Sequence, residues 1–525
     1  MWCRPSLLIG LKFLVFLLPG LAFPLPGNAA GKVARGIVFH DKNGDQHFNA
    51  GDVPLGNIGV SNGQKIVSTG ADGRFTLSID ADDDIVFVLK PRGWRTPLSK
   101  EKLPQFFYIH KPNGSPKSKY PGVDPTGPLP ELIEFPLYPQ QEPDQFRAIL
   151  FGDPQPRDQK EVDYISRDVV SELIGTDASF GVTLGDIAYD NLSLFGPLTQ
   201  SIALIGIPWY NVIGNHDLNR DAKRDELSDE TFERVFGPNY YSFDYGPVHF
   251  LVLDDVVWEI PDGGKPGYEG GLGAEQMGFI REDLARIPED QLLVVLMHIP
   301  LVDVEDRHEL YRLIEMRPFC MSIAAHKHLH VHRFITAEDG WHGPQPHHHV
   351  INVTVSGSWW CGSPDERGIP HTMMADGAPN GYSIISFDGN SYQLQFRAAG
   401  RSAKYQMQIH APDSLSQENL PFAAIYANVF NGSERSKVEY SLGDGTWLEM
   451  EKVLATDPGY SQMVEREAAV KDKNWREITW PELSTHLWRA ALPTSLEPGS
   501  YVIQVKATDM HGATHYGNHL IRVTP

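Results

Sequence analysis

One layout recurs along this sequence: an apolar run ends, and a side chain with metal-ligand chemistry follows at once. Asp153 and Gln155 follow "RAILFG", and Asp186 follows "GVTLG". Asn215 and His216 follow "YNVIG", His298 follows "LLVVLM", and His326 and His328 follow "FCMSIAA". A core aspartate or a capped turn explains any one of these endings. The ordered series, carrying Asp, Asp, Asn, His and His-x-His, is hard to explain as packing. Carboxylate, amide and imidazole together suit Mn, Fe, Co or Zn. The donors outnumber those of one tetrahedral site, so two ions roughly 3.5–4 Å apart, bridged by one carboxylate, is the economical expectation.

The stretch "AAHKHLHVHRF" holds His326, His328, His330 and His332 at every second position. Run as a strand, it puts all four on one side. Each two-residue step covers about 6.6 Å, so the outer two lie about 20 Å apart and cannot share a site. One neighbouring pair can reach two adjacent ions. His330 then either supports the ligands from behind or lines the pocket rim, and His332 has no metal role.

Something must hold these groups together. Between 146 and 345 apolar runs alternate with amphipathic segments. Val162, Ile165, Val169 and Leu173 recur at helical spacing before Gly175, and "AEQMGFIREDLARIP" reads as a second helix. Such alternation implies an α/β region, where functional groups collect beyond the carboxyl ends of strands. Gly152, Gly185 and Gly214 permit tight turns there. Residues 31–95 have short strand-like runs with Gly, Asn and Asp turns, and a Pro-rich connector (96–145) suits an irregular path. Residues 346–410 complete the central region. Short strands return over 411–525, which suggests an immunoglobulin-like β-sandwich.

The 525 residues carry a formal charge of −22, which disfavours nucleic-acid or anionic-membrane binding; an anionic substrate would need local positive charge, which a metal supplies. Residues 1–30 read as a signal peptide: Arg4 and Lys12, an apolar run broken by Pro19 and Pro24, then small residues. The expected location is secreted or periplasmic, with no stable membrane span after cleavage. Cys320 and Cys361 then remain, too few for a disulfide framework or a zinc–cysteine site, and their pairing stays open.

The blocks "GDPQ", "GDIAYDN", "GNHD", "MHIP" and "AHKH" resemble those of the calcineurin-like metallophosphoesterases. The segments "GVSNG…TGADGRF", "GSWW" and "HTMMADGAPNGYSIISFDGN" resemble the N- and C-terminal domains that accompany one bacterial branch. The resemblance implies a multidomain chain: a central α/β fold, a four-layer αββα sandwich, between an N-terminal β domain and a C-terminal β-sandwich. It implies Asp153 and His328 at a first metal, Asp186 bridging, and Asn215, His298 and His326 at a second. His216 would contact the phosphate, and Asp217 would orient it. It further implies hydrolysis of phosphate mono- or diesters by metal-activated water, with two divalent or trivalent ions (Mn, Fe, Zn or Co) and a phosphorylated small-molecule, lipid or glycan substrate. Two positions depart from the family pattern. Gln155 stands where histidine is usual, which predicts a looser first site, and Ala325 replaces a glycine before His-x-His.

Other groups carry alternatives. Asp41, Asn43, Asp45, Asn49 and Asp52 follow a calcium-loop spacing, with Gln46 at the usual glycine, and read either as a structural calcium site or as an Asx-rich turn. Tyr189 is either an iron ligand, as in purple acid phosphatases, or a core aromatic. His342, His347, His348 and His349 read as a solvated loop or a site rim. Trp359, Trp360, Asp376 and Asn380, with His330, are candidate substrate walls. A decayed phosphoesterase acting as a binding protein and a carbohydrate-surface adhesin are the rival functions.

Overall fold

A computed structural model describes residues 32–261, 264–443 and 445–525. The expected signal peptide lies outside these residues. Among them no helix is long and apolar enough to cross a membrane.

Strand Arg74–Ile79 alternates exposed and buried residues, so Phe75, Leu77 and Ile79 point inward. It pairs antiparallel with Lys32–His40, which pairs parallel with Ile133–Pro139. The Pro-rich segment expected to be irregular thus returns to the first sheet. Its prolines mask an alternation in which Ile133, Phe135 and Leu137 are buried in the N-terminal core.

Eleven strands build the two large sheets of the central region and are numbered here in chain order. They are β1 (Gln145–Phe151), β2 (Phe180–Leu184), β3 (Trp209–Val212), β4 (Tyr241–Tyr245), β5 (Val248–Val252) and β6 (Leu292–Leu296), then β7 (Cys320–Ala324), β8 (Val331–Ile335), β9 (His347–Ile351), β10 (Gly381–Asp388) and β11 (Ser391–Ala398). One sheet runs β3-β2-β1-β10-β11 and the other β4-β5-β6-β7-β9-β8. β1, β2 and β3 are parallel, as are β5, β6, β7 and β9. Every residue of β2, β5 and β6 is buried, as parallel strands covered on both faces require. The sheets meet through aromatics: Phe250 lies 5.2 Å from Phe180 and 5.6 Å from Phe387, ring centre to ring centre. The parallel ends of both sheets therefore open toward one place.

The expected helix after β1 forms as Gln159–Ile165, a π-helical turn over Ser166–Val170 and a short helical end, with Gly175 at φ +80° just beyond. Val162, Ile165, Val169 and Leu173 are all buried on it. The C-terminal region has a four-stranded and a five-stranded sheet that share a core including Ile425, Trp488, Ile503 and Val505.

Two expectations about histidine fail here. The "HHH" of 347–349 is not a solvated loop but the start of β9, with all three side chains buried. Only Val331–Ile335 of the second tract is a strand, so the four histidines do not share one strand face. The local pattern looked polar because neutral imidazole can be buried once its nitrogens have partners. Tyr392 Oη donates to His348 Nδ1 at 2.8 Å. His348 Nε2 can then donate to His332 Nδ1 at 2.9 Å, and His332 Nε2 to Asn431 Oδ1 at 3.0 Å. Each ring donates once and accepts once, which only neutral rings can do.

Burial pulls His332 down to about 4 and His347 and His349 down to about 3. These folded values lie below the unfolded value of about 6.5. Their stability contribution is therefore complete above pH ~6.5 and is lost progressively as pH falls below it, by about 2 kcal/mol per histidine at pH 5. Urea unfolding in EDTA should show lower stability at pH 5 than at pH 7, with a shallower slope for His347→Gln. Equal slopes for the two proteins would contradict the assignment.

Candidate metal centre

The loops after β1, β2, β3, β6 and β7 bring the series of ligand-type side chains to one point. Asp153, Gln155, Asp186, Asn215, His298 and His328 are each at most 3% exposed, and His326 is partly buried. The backbone turns sharply to aim them. Asp153, Gln155, Asp186, His326 and His328 all have positive φ, between 38° and 70°. Non-glycine residues hold such conformations at a cost, and typically at functional sites. Two glycines allow the close approach. A Cβ on Gly185 (φ +84°) would meet His298 Nδ1 at 2.3 Å, and one on Gly214 would meet the Asp186 nitrogen at 2.1 Å. Ala325 has no such demand: the left-handed turn falls one residue later, on His326, so the missing glycine costs nothing.

Four donor atoms surround one spot. His298 Nε2 lies 3.1 Å from Asn215 Oδ1, 3.2 Å from His326 Nδ1 and 3.3 Å from Asp186 Oδ1. Asp186, His298 and His326 offer ligand atoms all within 4.8 Å of one another. His298 Nδ1 donates to the Leu184 carbonyl at 2.8 Å, which turns Nε2 toward the other donors. Its backbone N–H donates to buried Asp255 at 3.1 Å. Asp255 is a supporting group that the sequence reading missed, although "VHFLVLDD" is also an apolar run ending in acid.

Beside this set, Asp153 Oδ1, Gln155 Oε1 and His328 Nε2 are buried and have no hydrogen-bond partner. His328 Nδ1 is committed to the Gly357 carbonyl at 2.5 Å, and its Nε2 lies 3.8 Å from Asp153 Oδ1. Gln155 Nε2 donates to Asp186 Oδ2. Three orphaned acceptors next to a carboxylate shared with the second set fit a cation, since unpaired buried acceptors are otherwise costly. The donor set therefore fits two ions, Asp153, Gln155, His328 and Asp186 around one and Asp186, Asn215, His298 and His326 around the other.

The electrostatics agree. Burial pushes Asp153 far above the usual carboxylate range, and the charge of His298 offsets this only in part. Burial acts the same way on Asp186, but His298 and His216 outweigh it and hold Asp186 low. Burial alone would lower His298, yet the Asp186 carboxylate pushes it up to about 10. Burial and the His298 charge pull His326 down to about 3, leaving it a neutral ligand.

His216 stands at the edge. Its Nδ1 pairs with Asp190 Oδ1 at 2.7 Å, and its ring stacks on Tyr189 at 4.4 Å. The Arg157 guanidinium also lies over the Tyr189 ring at 4.7 Å, and Arg220 Nε binds Asp190 at 2.8 Å. Tyr189 is thus a stacking partner of His216. Asp217, expected to orient His216, does not. It is fully buried and accepts the backbone N–H groups of Ile187, Ala188 and Gly214, tying two site loops together. Asp190 takes the orienting role because it lies in the loop that packs on the ring.

The candidate substrate walls divide. Trp359 is partly exposed and lies over His328 at 4.1 Å, whereas Trp360 is buried with Nε1 on the Pro154 carbonyl at 3.0 Å. His330, Asp376 and Asn380 are buried and hydrogen-bonded within the protein, so they are not walls. Half-exposed Tyr268, which no motif marked, stands edge-on to His326 at 6.0 Å. The calcium-spaced loop closes on itself. Asp41 accepts from Gly44, Gln46 and Tyr138, and Asp45 accepts from Asn43, His47 and Asn49. Asp52 accepts from Lys42 and Asn49. Gln46 holds φ +64° where the calcium-loop pattern has glycine. Cys320 and Cys361 are both free thiols.

Asp153→Asn tests the cation fit directly. In EDTA the variant should be at least as stable as the parent, because it removes a disfavoured buried charge. The thermal stabilisation of the parent by Mn²⁺, about 2.7 kcal/mol at 100-fold excess over Kd, should be largely lost. Retention of the full Mn²⁺ shift would rule Asp153 out as a ligand.

Comparison with known proteins bears on the two flanks. Residues 348–515 match a family model described as the C terminal of calcineurin-like phosphoesterase, and residues 42–120 match one described as its N terminal. Among solved structures, a purple acid phosphatase isolated from yellow lupin (Lupinus luteus) seeds shares 15% identity, covering 70% of this chain and 66% of that chain, at a TM-score of 0.36. The chain spans just under two thirds of that structure. No curated protein matches. On its two flanks, then, the chain is similar to the domains that accompany calcineurin-like phosphoesterases.

Proposed function

We propose that this chain is an exported, dinuclear metal-dependent phosphoesterase acting on phosphate mono- or diesters of small molecules, lipids or glycans. The observation that carries the proposal is the convergence of carboxylate, amide and imidazole donors from five loops on one point, with three of them buried and unpartnered. The flanking matches support it. Export rests on the residues at the start of the chain, and the layering implied is αββα with an immunoglobulin-like C-terminal sandwich.

Two bound first-row ions, Mn²⁺ among them, would supply the positive charge that a −22 chain lacks and would make water a competent nucleophile near neutral pH. The chain's own groups do the rest. Among the described residues, His216 is the one histidine at the site whose ring pairs with a carboxylate outside the donor set. With Nδ1 held by Asp190, its Nε2 can carry the proton to the leaving oxygen. Tyr189 and Arg157 fix the plane of that ring. Gln155 contributes a neutral oxygen where an imidazole would bind more strongly, which favours Mn or another oxygen-tolerant ion at the first site.

With Mn²⁺, the purified chain should cleave a nitrophenyl phosphate mono- or diester. His216→Ala should lower kcat by about 10²–10⁴-fold. Asp190→Asn should lower kcat by roughly tenfold with little change in KM, since it disturbs orientation and not binding. Asp217→Asn should reduce thermal stability more than kcat. A chain inert toward both ester classes with every divalent ion tried would instead support a binding protein on a decayed phosphoesterase domain.

A further inference from the structure

The two histidines of the "HKH" turn are held from outside the catalytic strands. On the upstream side, the His326 N–H donates to Asp153 Oδ2 at 3.0 Å and the Ala325 N–H to the His298 carbonyl at 3.0 Å. On the downstream side, the His330 N–H donates to Asp376 Oδ2 at 2.8 Å. Between these ties, His326 and His328 sit at φ +70° and +53°. Left-handed backbone persists only where its surroundings over-determine it, so the turn depends on both ties.

Asp376 is itself pinned by the C-terminal region. It is 1% exposed, and its Oδ2 also accepts from His486 Nε2 at 3.0 Å while Oδ1 accepts from the Ala378 N–H at 3.0 Å. Asn428 Nδ2 donates to the Asp376 carbonyl at 2.9 Å. His486 and Asn428 lie on paired strands of the four-stranded C-terminal sheet, Leu483–Ala491 and Ala424–Val429. Asn431, just beyond the second strand, accepts from both His330 Nε2 and His332 Nε2, at 3.1 and 3.0 Å. The C-terminal region also reaches the other rim of the site. Arg476 pairs with Glu161 at 2.8 Å, and Glu161 accepts the Arg157 N–H at 2.7 Å.

We propose that Asp376, clamped by His486, is a positioning residue for the first metal site, so that the C-terminal β region is a working part of the metal centre. The His486–Asp376–His330 chain fixes the downstream end of the turn, and that turn aims His328 Nε2 at Asp153. The proposal rests on reading the site as a metal centre. It assigns the C-terminal region a role other than adhesion or substrate capture.

The test is Mn²⁺ binding by the full chain, followed by chelator competition and by metal content after gel filtration. Asp376→Asn keeps the side-chain shape but sets an amide N–H₂ against N–H donors on one side or the other. His486→Gln keeps an N–H donor for Asp376 on a more flexible arm. Val505→Ala, in the C-terminal core, is a control for general loosening. In both clamp variants one Mn²⁺ should bind about 10–100-fold more weakly, as for other groups that orient metal ligands, while the other ion is little affected. Val505→Ala should leave both affinities unchanged. Unchanged affinities in the clamp variants, or an equal loss in Val505→Ala, would overturn the proposal. If His486→Gln fails to fold, Asp376→Asn alone decides. No Mn²⁺ binding by the parent chain would instead overturn the metal-centre reading, and this proposal with it.

Discussion

Two carboxylates, Asp153 and Asp186, lie buried in one pocket, and much of the surrounding architecture answers that constraint. Buried charges without counter-charge are costly, and the one strongly cationic group at hand is His298. Its charge goes mainly to Asp186, while Asp153 is left with an unpartnered oxygen. A pocket built this way is incomplete as protein alone. A divalent ion at each set of donors would supply what the side chains do not.

The cost is met locally by backbone and globally by sheet order. Five ligand-type residues accept left-handed conformations, and Gly185 and Gly214 yield space that a side chain would fill. Parallel strands then do the assembling. β1, β2 and β3 in one sheet and β6 and β7 in the other all end at the same edge. The aromatic layer around Phe180, Phe250 and Phe387 locks the two edges together. Fixing the donors on stiff strand ends reduces the reorganisation that ion binding would otherwise demand.

Histidine plays several parts in this chain, and the environment selects among them. His298 is held cationic by carboxylates, as is His249 between Asp244 and Asp283. His326 and His328 are neutral with one nitrogen turned to the site. His332, His348 and Asn431 form a neutral hydrogen-bonded chain that joins the central strands to the C-terminal region. None of these roles follows from residue type alone, because each is set by what faces the ring.

The donor series was legible in the sequence because each donor directly follows an apolar strand, and a strand's end is a local property. The helix before Gly175 was legible for the same reason: 3.6-residue periodicity is written into the chain. What failed were several roles that depend on which distant groups face a side chain. Asp217 looked catalytic beside His216 but serves three backbone N–H groups, and Asp190 orients the ring instead. Asp376 and Asn380 looked like polar walls but are buried fasteners. The "HHH" run looked solvated until β9 paired with β7 and β8. Sequence alone determined which residues could act, since side-chain chemistry and strand periodicity are local. Tertiary structure decided which of them do, since burial and hydrogen-bond partners come from distant segments: 110 residues separate His486 from Asp376, and 173 separate His326 from Asp153.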